Sequence, residues 1–181
     1  MFSINHWENP RKTISNQYEN NDFAYVQHGV KQLVELLGWL DCSIGDLKGK
    51  TILDYGCGTG RLVRNCSTIC KKAVGYDPVE NCIKEAFSET SKCEKLIDNS
   101  KIFFTNRFSE VVEKFDIVVS TNVFEHLSYS DCEIALNNIK SVLKPEGKTF
   151  LLLHKRNNEK FIKYSGLKLF KDGSNVCVYC L

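Results

Sequence analysis

The chain predicts an α/β domain with a mostly parallel sheet and helices on both faces. Three observations carry that expectation. Short apolar runs alternate with longer segments of helical period along 181 residues, the pattern of strands joined by helical crossovers, which are right-handed. One run, Thr51 to Tyr55, passes directly into a glycine-rich turn and a new helical segment. The last stretch, Leu167 to Leu181, reads as two β-like runs around Lys171-Asp172-Gly173-Ser174-Asn175, a hairpin that adds an antiparallel edge.

The length suits one domain, and a chain of this size buries roughly 70% of its unfolded surface without metal or disulfide. The polar, asparagine-rich residues 1–22 are expected to form an arm or cap, and residues 23–181 the domain. From Phe23 to Leu40, Val26, Val30, Leu33, Val34, Leu37 and Leu40 recur at helical spacing. Gly45 to Gly49 is a turn and the first strand follows. A helix is expected over Arg61–Lys72, with Leu62, Val63, Cys66, Ile69 and Cys70 on one side. Next come a strand Ala73–Asp77, a helix Val79–Ser91 and a strand Lys101–Thr105. Phe115–Ser120 is a short apolar strand of the kind that helices cover on both faces. Ser130–Leu143 is a helix with Ile134, Ala135, Ile139, Val142 and Leu143 at core spacing. Lys144-Pro145-Glu146-Gly147 is a turn, and Lys148–His154 a fifth strand.

Formal charge is +2 with acids and bases interspersed, which offers no argument for a nucleic-acid surface. No apolar run approaches the roughly 18–20 residues of a membrane span. Met1 to Trp7 lacks the regions of a secretory signal, so a cytoplasmic protein is expected. Nine cysteines, an odd number without framework spacing, are read as reduced thiols packed as small hydrophobes. Cys177-Val178-Tyr179-Cys180 lacks a second pair, and in a strand its thiols point to opposite faces, so no metal site is expected.

Chemistry concentrates in Asp54-Tyr55-Gly56-Cys57-Gly58-Thr59-Gly60. Glycines at alternate positions let an anionic ligand approach bare backbone, and the helix that follows presents unpaired N–H groups there. Asp54 can accept from a cationic or N–H donor. A dinucleotide fingerprint needs G-x-G-x-x-G, but Arg61 stands where its third glycine belongs. Asp77 follows Asp54 by 23 positions at the end of the second strand. A carboxylate at that distance has two oxygens for the hydroxyls of a ribose; the alternative is a cap for the helix near Val79.

An acid followed by G-x-G-x-G, with a second acid after the next strand, resembles the class I S-adenosylmethionine-dependent methyltransferases, in their small-molecule type. The resemblance covers about residues 23–154. It implies a single Rossmann-like domain with seven strands in the order 3-2-1-4-5-7-6, the seventh antiparallel; 181 residues are just enough for that pattern, so no inserted lid or C-terminal extension is expected. It implies S-adenosylmethionine as cofactor and S-adenosylhomocysteine as product, held by Asp54, Gly56, Cys57, Gly58 and Gly60, with Asp77 on the ribose and Pro78 and Val79 flanking the adenine. The family usually carries an acid after the third strand for the adenine amino group. Here Thr105-Asn106-Arg107-Phe108 offers only the Asn106 amide oxygen.

Ser120-Thr121-Asn122-Val123-Phe124-Glu125-His126-Leu127 is similar to the family's fourth motif. Thr121 and Asn122 are expected at the cofactor, since ligands sit beyond the carboxyl ends of such strands. His126 is a candidate general base, or with Glu125 a loop-holding residue; His154 is a second candidate and His28 a weaker third. Tyr18, Tyr25 and His28 are expected at the substrate, with Trp7 and Phe23 as further cap residues. Methyl transfer depends largely on alignment and desolvation, so a missing base is no objection. The expected acceptor is an amine, hydroxyl or carboxylate of a small molecule, without nucleic-acid or membrane partners; a homodimer is compatible with the pattern. The rival expectations are a non-catalytic partner of a larger enzyme, and a cyclase or lyase acting on the same cofactor.

Overall fold

The computed structural model describes residues 8–14, 21–93, 97–154, 168–172 and 176–180. Its elements in order are α1 (Pro10–Ile14), α2 (Asp22–Leu40), α3 (Ile44–Leu47), β1 (Thr51–Tyr55), α4 (Arg61–Ser67), β2 (Lys72–Tyr76), α5 (Glu80–Ser91), β3 (Ile102–Thr105), β4 (Phe115–Thr121), α6 (Tyr129–Val142), β5 (Leu143–His154), β6 (Lys168–Asp172) and β7 (Val176–Cys180). The seven strands lie in the order β3-β2-β1-β4-β5-β7-β6. The first five are parallel, and β7 runs antiparallel to β5 and β6. This is the Rossmann-like order that the resemblance implied.

Alternation along the strands divides the core in two. Ile52, Ala73, Phe104, Ile117, Val119, Phe150 and Leu152 face α2, α4 and α5. Leu53, Tyr55, Val74, Val118 and Leu151 face α6 through Cys132, Ala135, Leu136, Ile139 and Val142. The eight cysteines whose side chains are described form no disulfide, and five of them are buried.

Four local expectations change. Helix α2 turns a different face inward: Tyr25, Leu33, Leu36 and Leu40 are buried, whereas Val26, Val30 and Val34 are exposed. Gly29 sets that rotation, because a Cβ there would stand 2.8 Å from Asn65 Nδ2 and 3.3 Å from Arg61 Cβ, so the two helices meet at a bare backbone. Helix α4 stops at Ser67 instead of Lys72. Ser67 and Thr68 donate their hydroxyls back to the carbonyls of Arg64 and Asn65, the local competition by which hydroxyl side chains weaken a helix. The Lys144–Gly147 turn is a bulge within β5, since Leu143 pairs with Phe115 and Lys148 with Ile117. Pro145 lacks an N–H for the ladder and belongs in such a bulge. Finally, residues 8–14 of the expected arm contain α1, whose Arg11 pairs with Glu85 and Glu89 of α5. The tip of the closing hairpin lies outside the described residues.

Candidate functional site

The carboxyl ends of β1, β2 and β4 open into a cleft of about 640 Å³. Asp54, Gly56, Cys57, Gly58, Asp77, Pro78, Val79, Thr121, Asn122 and His126 all line it. Gly60 is the N-cap of α4, just behind the turn.

The glycine turn has the shape its composition requires. Gly56 has φ +85, and a Cβ there would stand 2.2 Å from Val123 Cγ2, so the start of the turn packs directly beneath the β4 loop. Gly58 has φ +53 and a Cβ there would meet no heavy atom within 4 Å. It therefore presents bare backbone to the cleft. The turn is tied to β2 by the N–H groups of Gly56 and Cys57, which both donate to the Tyr76 carbonyl at 2.7 and 3.0 Å.

Asp77 joins the turn to the next helix. Its Oδ2 accepts from the Gly58 N–H and its Oδ1 from the Val79 N–H, each at 2.9 Å. Asp77 lines the cleft, and the second N–H it accepts from belongs to Val79, the N-cap residue of α5. Burial raises its pKa, opposed by those two N–H groups. Asp54 is 3% exposed and its Oδ1 has no hydrogen-bond partner among the described residues. Burial, and next the charge of Asp77, push its pKa up to about 7, against the pull of Arg61. A buried carboxylate without a partner is costly, so the site suits a ligand with a cationic or N–H donor. The bare turn, the acceptor at Asp54 and the carboxylate at Asp77 together fit the methionine end and ribose of S-adenosylmethionine.

Behind the turn lies a buried polar knot. The Thr59 carbonyl accepts from Arg64 Nη1 at 2.8 Å and from the Tyr25 hydroxyl at 3.3 Å. Arg64 Nη2 donates to the Tyr25 oxygen at 3.2 Å, and Arg11 stacks over the Tyr25 ring at 4.3 Å. One expectation changes here: Tyr25 is only 1% exposed, is not among the residues lining the cleft, and supports the turn from behind. His28 likewise does not line the cleft. Its Nδ1 accepts from Arg61 Nη1 at 2.7 Å, and burial, with Arg61 next, lowers its pKa, so it is a neutral partner of Arg61. Asn106 is not among the lining residues. Tyr18 and the side chain of His154 lie outside the described residues.

The β4 loop forms the opposite wall. Ser120 Oγ donates to the Tyr55 carbonyl at 2.8 Å, holding the tips of β4 and β1 together. Asn122 then turns left-handed with φ 56, a conformation that asparagine tolerates better than most residues. His126 stands exposed on the rim, its N–H donating to the Val123 carbonyl at 2.9 Å. Sequence reasoning missed several lining residues: Gln32 from α2, Tyr55, Tyr76, Leu127, Ile134, Ala135 and Asn138. Gln32 Oε1 is buried and has no partner among the described residues, so it adds a second acceptor to the cleft.

A family model described as a methyltransferase domain matches residues 18–174. The mitochondrial ubiquinone biosynthesis O-methyltransferase of Bos taurus is 34% identical over 108 residues, covering 58% of this chain and 29% of its own length. The ubiquinone biosynthesis O-methyltransferase of Rhodopseudomonas palustris (strain BisA53) is 30% identical over 122 residues, covering 66% of this chain and 46% of its own. The chain thus spans roughly a third to a half of the length of these curated relatives. Among solved structures, magnesium protoporphyrin IX methyltransferase from Synechocystis PCC 6803 with bound SAM superposes with a TM-score of 0.67 at 16% identity, over 98% of this chain and 89% of that one. That likeness bears on the fold, which is the one described above. With the model spanning most of the chain and the sheet in the implied order, the chain belongs to the class I S-adenosylmethionine-dependent methyltransferase family.

Proposed function

We propose that this protein transfers the methyl group of S-adenosylmethionine to an oxygen or nitrogen of a small molecule, and that a hydroxyl is the first acceptor to test. The observation that carries the reading is the Asp77 carboxylate, fixed by the Gly58 and Val79 N–H groups on the rim of a glycine-lined cleft. The names of the curated relatives, ubiquinone biosynthesis O-methyltransferases, support a hydroxyl.

When bound, S-adenosylmethionine supplies a sulfonium methyl open to nucleophilic attack. In this reading Asp54 and the turn from Gly56 to Gly60 hold the methionine end, with Asp54 ionised by a cationic neighbour. Asp77 takes the ribose hydroxyls with the lone pairs its two backbone donors leave free. Cys57, Pro78, Val79, Thr121 and Asn122 line the cofactor and exclude water. His126, on the rim after β4, receives a proton from the acceptor at neutral pH. Alignment in a cleft that excludes water supplies most of the rate, up to about 7–11 kcal/mol in well-oriented systems. A cytoplasmic working place belongs to the same proposal.

Titration with S-adenosylhomocysteine tests the reading. Micromolar binding is expected, weakened at least tenfold by Asp77→Ala. No binding, with Asp77→Ala indistinguishable from the parent protein, would sink the proposal. Mass-resolved products after incubation with methyl-labelled cofactor and candidate phenols identify the acceptor; methylthioadenosine in place of S-adenosylhomocysteine would move the protein to the cyclase or lyase class.

A further inference from the structure

The outer side of α2 carries an apolar stripe that the folded chain leaves in water. Phe23, Val26, Val30 and Val34 are 78, 55, 48 and 63% exposed. They follow one another at intervals of three, four and four residues, which keeps them on one line along a helix of 3.6 residues per turn. Leu37, partly buried against the core, extends that line. Single exposed apolar residues are ordinary, whereas a row of four on one helix face forms a contiguous patch, the mark of an interaction surface. The helix cannot roll to hide it, because Tyr25, Leu33, Leu36 and Leu40 fill the core on the other side and Gly29 abuts α4.

The residues beside the stripe identify its occupant. Lys31 and Glu35 lie along one flank, both exposed, and pair with each other at 3.6 Å across one helical turn. Gln27 and Gly38, also exposed, continue that flank, and a Cβ at Gly38 would meet no heavy atom within 4 Å. When two copies of a helix pack antiparallel about a two-fold axis, each flank meets the same flank of the other copy running the opposite way. An axis near residues 32 and 33 brings every element of this face into register at once. Val30 faces Val34 of the second copy, Lys31 faces Glu35, and Val26 and Gln27 reach the bare backbone of Gly38. The charge pattern is thus complementary to itself.

We propose that this face of α2 binds a second copy of the chain as an isologous, antiparallel helix pair centred between Val30 and Val34. Two Lys31–Glu35 pairs between copies then replace the two within helices. Gln32, which lines the cleft, stands on the opposite side of α2, so the pairing does not compete with a ligand and does not rest on the cofactor reading. From Phe23 to Gly38 the contact is about 23 Å long at 1.5 Å per residue, which puts it in the small, transient class below about 1,200 Å². Assembly therefore depends on concentration.

Sedimentation velocity of the full chain from about 5 to 500 µM tests the pairing; the mean mass should rise from that of a monomer toward twice that value. Val30→Glu and Val34→Glu should each weaken association about tenfold or more by burying like charges at the axis. Lys31→Glu alone and Glu35→Lys alone set like charges opposite each other and should each weaken it about fivefold or more. An equimolar mixture of those two variants should recover association, because an all-acidic flank then meets an all-basic one. That recovery separates a second copy from any other partner. Thermal unfolding checks that the variants are folded, and the charge variants, which leave the apolar stripe intact, carry the test if a valine variant is not. A parent protein that stays monomeric at about 500 µM, a dimer unchanged in both valine variants, or charge variants that fail to recover on mixing overturns the inference. Monomeric protein that binds phosphatidylglycerol vesicles, and loses that binding in Val34→Glu, would assign the stripe to a lipid surface, which also overturns it.

Discussion

On the α4 face of the sheet the glycine turn is held by buried polar groups: Arg64, the Tyr25 hydroxyl and the Thr59 carbonyl. On the α6 face the same cleft is walled mostly by aromatic and aliphatic side chains, and Asn138 of α6 donates to the Tyr55 hydroxyl oxygen of β1. The first arrangement fixes backbone, and an error of an ångström there displaces every N–H the ligand would meet. The second offers a surface of fixed shape whose side chains can change without moving the chain. The difference separates residues that define the site from residues that tune it, and it can be broken or sharpened experimentally.

The largest effect should come from Gly56→Ala. The left-handed backbone costs about 1–2 kcal/mol for an alanine, and Val123 must move as well because its Cγ2 lies 2.2 Å from the new Cβ. Urea unfolding should show the loss, and S-adenosylhomocysteine binding should disappear. Arg64→Met comes next. It leaves the Tyr25 oxygen and the Thr59 carbonyl each short of a donor, a loss of about 1–3 kcal/mol for buried groups, and it should weaken binding although Arg64 is absent from the cleft lining. The α6 counterpart, Asn138→Leu, removes one half-buried contact and should cost less than about 1 kcal/mol in stability. Equal stability losses for Arg64→Met and Asn138→Leu would erase the contrast between the faces.

A pH series reaches the same contrast through Asp54. Its folded pKa, about 7, lies above the ordinary carboxyl value of 3.8, so the folded state holds a proton that the unfolded state has released. Its contribution is fully present below about pH 4 and is lost as pH rises through 7. The ligand-free protein should therefore lose stability across that window, and Asp54→Asn should flatten the curve there. S-adenosylhomocysteine should offset the loss in the parent protein by supplying a cationic partner. The smallest effect belongs to Asn106→Ala: Asn106 is not among the cleft-lining residues, and the change is expected to alter S-adenosylhomocysteine affinity by less than about twofold; a tenfold loss would place Asn106 at the cofactor.

The α4 face was legible in the sequence because its signals are local. Asp54, Gly56, Gly58 and Gly60 follow each other at fixed spacing, and Asp77 closes the next strand. The resemblance they support implied the strand order found here. The α6 face was not legible, because Tyr55 and Asn138 are 83 positions apart and meet only through the sheet. Two weak signals did exist. Tyr55 alternates with Asp54 along β1 and so had to point to the opposite face. Asn138 lies on the stripe that runs from Ala135 to Val142, a polar interruption of an otherwise apolar helix face. Helix α2 misled for a related reason: its valines repeat at helical spacing, but the close approach at Gly29 decides which stripe is buried.

The Tyr25 knot has a consequence for motion. Arg11 of α1, Arg64 of α4 and the Thr59 carbonyl all converge on one phenol, so the leading helix and the cofactor turn share a fastening point. Opening of α1 and loosening of the turn are then parts of one sub-global unfolding event, not two independent ones. Amide hydrogens of α1, the start of α2 and the turn around Thr59 should exchange with a common opening free energy. A nucleoside that protects the turn should slow exchange in α1 without touching it.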